Sequence, residues 1–172
     1  MTNAGRATLV SLAFILSGCA SYNPVPSNYS GSLAIIQDTV KSRSRTSVDF
    51  FYLEKIDGKT IDNSLGATIQ ANSGRGMEME PRVIERNVPT VAGTFTIVGR
   101  THYAAPILEL AEKVYRVSGD VRFTPLPDHR YILRGSLDEA RSAVWIEDMG
   151  TGEIVDRKIE IDGSSALGFL EK

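Results

Sequence analysis

The sequence predicts a mainly β fold, an antiparallel two-layer β-sandwich of seven to eight strands with one or two short helices. Three observations carry this. Between Tyr115 and Phe123, the apolar Tyr115, Val117, Val121 and Phe123 are interleaved with Arg116, Ser118, Asp120 and Arg122, the pattern of a strand with one buried face. Turn-forming residues recur at short intervals between apolar runs. Stretches with helical spacing are few and short. A small β-barrel fits the same pattern and is the competing architecture.

Leu33 to Ile36 opens the series of strands. Lys41, Arg43 and Arg45 then alternate with Ser42, Ser44 and Thr46, which reads as a basic loop or a charged sheet edge; beside a lipid surface such a run would meet phosphates. Val48 to Ile56 is the first long strand, and Asp57-Gly58 suits a tight hairpin turn with positive φ. Asp62 is placed to cap a helix running to about Ala71, with Gly74 ending it. The following Ser73-Gly74-Arg75-Gly76 lacks the Lys-Ser/Thr pair that grips a phosphate, so it reads as a mobile loop.

Strands at Val83 to Val88 and Thr94 to Thr101 come next, and Pro106 can begin a short helix through Lys113. After the alternating strand, Pro125 to Asp128 interrupts the chain. Arg130 to Leu137, Ala143 to Asp148 and Glu153 to Ile161 complete the set, and Gly150-Thr151-Gly152 reverses the last pair. Trp145, flanked by Val144 and Ile146, is assigned to the core.

Ahead of this domain, which spans 33–172, lie two different stretches. Residues 1–18 read as an export signal, with Arg6 in a polar start, an apolar run from Ala7 to Ile15, and small residues before Cys19. The run is short of the roughly 20 apolar residues that span a bilayer. Residues 19–32 are rich in Ser, Asn and Tyr and contain Pro24 and Pro26, which reads as a flexible tether reaching roughly 35 Å if extended. Cys19 is the only cysteine, so no internal disulfide can form.

The quartet Leu16-Ser17-Gly18-Cys19 resembles the lipobox of bacterial lipoproteins in every position. The resemblance implies cleavage before Cys19, acylation of its thiol, and attachment to a membrane by two or three chains, enough for lasting residence. Ala20, in place of an aspartate, implies by the same resemblance the outer membrane, with the domain facing the periplasm. The segments Tyr22 to Ser30, Val48 to Lys59, Phe95 to Ile107 and Val144 to Val155 resemble uncharacterised small outer-membrane lipoproteins of proteobacteria. The hairpin from Arg130 to Val155 is similar to transthyretin-like and regulatory β-sandwich modules. Neither resemblance implies an activity.

Candidate chemistry is sparse. There is no Gly-x-Ser-x-Gly, and His102 and His129 are the only histidines, too far apart in sequence for a usual metal spacing, so no catalytic set, metal or cofactor is expected. A formal charge of −2 gives no reason to expect nucleic acid. Arg100, His102 and Tyr103 cluster where a strand pattern stops, and form the candidate partner-binding loop. The expected role is that of a lipid-anchored, non-enzymatic binding or structural component, with an envelope protein or cell-wall element as partner. The alternatives are a lipid-anchored enzyme and a carrier of a small apolar ligand.

Overall fold

The computed structural model describes residues 21–172; the expected leader at 1–18 and Cys19 lie outside the described residues. The elements, in order, are β1 (Leu33–Gln37), β2 (Thr39–Ser42), β3 (Ser47–Ile56), β4 (Lys59–Thr60), α1 (Ser64–Asn72), β5 (Glu85–Pro89), β6 (Gly93–Tyr103), α2 (Pro106–Ala111), β7 (Arg116–Phe123), β8 (Arg130–Ser136), β9 (Arg141–Asp148) and β10 (Ile154–Asp162). They form two packed five-stranded sheets. One has the order β10-β9-β8-β1-β5, the other β2-β3-β6-β7 with β4 added beside β3.

The expected sandwich is therefore present, with ten strands among the described residues where seven to eight are expected and one pairing that is not antiparallel. The charged sheet edge expected at the basic run is β2, which pairs with β3 from Thr39↔Phe51 to Ser42↔Val48 and includes Lys41, while Arg43 and Arg45 lie in the turn that follows. One pairing is parallel: β1 runs alongside β8 at Ile35↔Arg130 to Gln37↔Ile132. Parallel neighbours need long connections, and residues 38–129, with β2 to β7, lie between these two strands.

The core lies between the sheets. Ile36, Leu53, Ile97, Val117, Val121, Leu133, Val144 and Ile146 are all buried there. Val117 and Val121 point inward on β7 as their alternation requires. Phe51 also enters this layer, where its ring lies against Gly99 of one sheet and Gly135 of the other. A second, smaller cluster of Val48, Phe50, Tyr52 and Val98 occupies the outer face of the β3–β6 sheet, covered by Leu65 of α1 and by Met79. Trp145 belongs to neither cluster. It sits half-buried on the outside of β9 with the Lys158 ammonium 4.3 Å from its ring centre, because Val144 and Ile146 take the inward positions.

The chain passes from one sheet to the other at Asp38, between β1 and β2. Its carboxylate is fully buried and fully used. It accepts from Leu53 N, from both Ser64 N and Ser64 Oγ, and from the two terminal nitrogens of Arg86, each at 2.8 Å. One side chain thus joins the corner, β3, the start of α1 and β5. The cap of α1 is Asn63, one residue after the expected Asp62; its side chain accepts from Gly66 N. Asp57 and Gly58 have positive φ of 49° and 75°, as their hairpin turn requires.

Residues 21–32, expected as a spacer, lie along the domain over at least part of their length. Tyr22 packs against the core, donates its N–H to the Thr60 carbonyl at 2.9 Å, and has the Lys59 ammonium over its ring at 4.4 Å. Tyr29 Oη donates to the Ser32 carbonyl. The reason is composition: tyrosine and proline carry apolar surface that a Gly/Ser spacer lacks.

The sandwich has two distinct ends. Where residues 21–32 enter β1, the chain turns at 57–58, 90–92, 124–129 and 149–153. At the far end lie the 43–46 turn, the β6–α2–β7 connection, the 137–140 turn and the C-terminal residues. The eleven residues of β6 run between them, about 35 Å at strand rise.

Candidate functional site

Arg100, His102 and Tyr103 end β6 at the far end of the sandwich, and strand parity divides them. Arg100 and His102 share the outer face with Val98, whereas Tyr103 shares the inner phase with Thr101, whose hydroxyl donates to the buried Asp49 carboxylate at 2.7 Å. The three do not form one surface.

Arg100 and His102 meet instead on Glu109 of α2. Arg100 Nη2 lies 2.9 Å from Glu109 Oε1 and His102 Nδ1 lies 3.5 Å from Oε2. The hydrogen bond from His102, helped by Arg100, holds the Glu109 carboxyl below the usual glutamate range against the opposing effect of burial. Tyr103 Oη donates to the Lys113 carbonyl at 3.0 Å, just beyond α2. All three expected residues therefore brace α2 against β6. Glu109, the centre of this arrangement, escaped the sequence reading because it lies in a short helix whose pattern advertised only apolar spacing.

This bracing has a pH dependence. A carboxylate with a folded-state pKa below its unfolded value of about 4.3 stabilises the fold above that pH and loses its contribution as pH falls through the depressed value. Hydrogen exchange of the α2 amides should accelerate selectively, relative to those of β3, as pH is lowered through that window. Parallel behaviour of the two elements would remove Glu109 as the cause.

Held this way, α2 buries none of its residues. It presents Ile107, 68% exposed, and Leu110 to solvent. The C-terminal residues run beside it: Leu167 N donates to the Val114 carbonyl, and Lys172 Nζ donates to the Leu110 and Glu112 carbonyls. These place Phe169, 69% exposed, and Leu170, 94% exposed, near the helix. On the other side of α2, a cleft of about 440 Å³ separates it from the end of α1, lined by Ile69, Met77, Met79, His102, Pro106 and Glu109. The loop forming its far wall is tied down, since Asn72 exchanges two hydrogen bonds with the backbone of Glu80.

Within the basic run the Arg43 guanidinium is turned inward, while Lys41 and Arg45 are exposed. Arg43 pairs with buried Asp49 at 2.9 Å and donates to the Leu137 carbonyl, so it closes the far end internally. The second histidine, His129, is at the opposite end, 2.6 Å from Asp148. Burial pushes the Asp148 carboxyl up, but bonds from His129 and from the Gly150 and Thr151 amides outweigh it and leave it lowered. Among the described residues no group of three or more His, Cys, Asp or Glu side chains is arranged to hold a metal ion, and no helix is long and apolar enough to cross a membrane. Comparison with protein-family models, with curated proteins and with solved structures gives no match for this chain.

Proposed function

We propose that the chain is a lipoprotein, anchored to the outer membrane by acyl chains on Cys19 and facing the periplasm, whose β-sandwich binds another envelope protein without catalysing a reaction. The anchoring part of this reading is supported by the Leu16-Ser17-Gly18-Cys19 quartet and by the solitary cysteine. The binding part is supported by one observation: α2 exposes Ile107 and Leu110 while contributing no buried residue to the core, and the C-terminal residues bonded beside it expose Phe169 and Leu170. Large apolar side chains gathered on a surface mark association sites, and here they sit at the end remote from residues 21–32. Apolar side chains of this size suit a protein surface better than a glycan.

Two measurements test it. Cys19→Ser should abolish incorporation of labelled fatty acid and leave uncleaved precursor; equal labelling of mutant and wild type overturns the anchoring reading. The double substitution Ile107→Ser with Phe169→Ser should leave the thermal midpoint nearly unchanged, since both side chains are exposed. It should reduce crosslinked partner protein recovered from intact membranes at least tenfold, the effect of losing about 1.4 kcal/mol of contact. Unchanged recovery overturns the binding surface, and recovery of a cell-wall glycan by both proteins replaces the protein partner.

A further inference from the structure

Residues 21–32 pack on the domain where the sequence expects a spacer, and this fixes how far the domain can lie from its point of attachment. Cys19 precedes Tyr22 by three residues, which is at most about 10 Å of extended chain. Tyr22 is held by its bond to Thr60, by the Lys59 ammonium over its ring and by contact with the core. We infer that the tether acts as a latch and that the domain rests with this end directly on the bilayer surface, the 90–92, 124–129 and 149–153 loops touching lipid. The inference rests on acylation of Cys19.

The loops at this end suit that contact. Each carries one large apolar side chain about half exposed: Val91, Leu126 and Met149. Val91 belongs to the latch region itself, since Tyr22, Pro24 and Tyr29 line a slot of about 220 Å³ with Val91 and Phe95. Leu126 and Met149 flank the start of β8: Leu126 N donates to Tyr131 Oη, and Met149 N to the Arg130 carbonyl. The charged residues within these turns, Asp57, Asp128 and Glu153, are exposed and acidic, and the basic residues next to them are engaged, Lys59 over the Tyr22 ring and Arg130 with Glu85. They disfavour anionic headgroups, so the contact is apolar and its occupant a zwitterionic bilayer. In this orientation β6 points away from the membrane and carries α2 outward on its far end.

The test uses the full acylated protein in phosphatidylcholine vesicles. Acylation of Cys19 leaves any introduced cysteine as the one free thiol, so nitroxide labels can be placed at Val91→Cys, Leu126→Cys and, as a far-end reference, Ile107→Cys. All three positions are exposed and should not disturb folding. Mass spectrometry of the Cys19 peptide and flotation with the vesicles establish anchoring first. Labels at 91 and 126 should collide more with oxygen and less with a water-soluble nickel chelate than the label at 107. Tyr22→Ala should abolish that difference while flotation persists, because the latch is released and the anchor kept. An acylated, floating protein whose three labels are equally accessible to the chelate overturns the inference and leaves the anchor reading intact. Absence of acylation overturns both.

Discussion

Asp38→Ala should cost the domain about 3–5 kcal/mol, a large share of the roughly 5–15 kcal/mol that holds a domain of this size together. The substitution removes the acceptor for Leu53 N, Ser64 N and Ser64 Oγ in a place no solvent reaches. It also strands Arg86, whose side chain is 9% exposed, with an unpaired charge. Urea denaturation followed by circular dichroism measures the loss. The electrostatic part is separable: removing both partners in Asp38→Ala with Arg86→Ala should destabilise by less than the sum of the single changes, because no charge is then left buried alone. Strict additivity would mean that the corner depends on the backbone bonds and not on the ion pair.

Gly135→Ala is expected to be comparably damaging, at about 3 kcal/mol or more. A β-carbon at this point of β8 would lie 2.5 Å from the Ala143 carbonyl oxygen and would overlap the Phe51 ring. The backbone oxygen belongs to the paired strand β9 and cannot turn aside, so the two strands would have to separate. Gly99, which faces the same ring from the other sheet, meets only side chains, at 3.1–3.3 Å, and Gly99→Ala should be much milder. Equal midpoints for the two variants would show that β8 and β9 can part at this point at little cost and that Phe51 is free to shift.

Both residues illustrate where sequence reasoning reaches its limit. The strands were legible because most have one wet face: β7 announces itself through Val117 and Val121, and the turn at Asp57-Gly58 through its need for positive φ. Edge strand β2 was legible only as a choice between charged loop and charged edge, since only Thr39 and Val40 are even half-buried. Nothing local marks Asp38 as a buried corner or Gly135 as the seat of an aromatic ring, because both follow from segments far apart in sequence. Trp145 was misassigned since three adjacent apolar residues hide which parity faces inward. At the candidate site, parity was available and would have separated Arg100 and His102 from Tyr103. Glu109 was visible only as the polar residue of a short apolar helix, and its role depends on α2 folding back over β6.

The position of β1 has a mechanical consequence. This strand is the first element after residues 21–32 and is clasped between β5 and β8, while the C-terminal residues lie at the other end of the sandwich. Once Tyr22 is released from Thr60, tension applied between the two ends of the chain runs along β1, across the antiparallel bonds to β5 and the slanted parallel bonds to β8. Those bonds would have to break together and not one after another, and Asp38, clamped to Arg86 and to the start of α1, adds a further stop immediately behind the strand. Under the proposed anchoring at Cys19, a pull on the far end of the domain would load β1 in shear before it could peel the sheet apart.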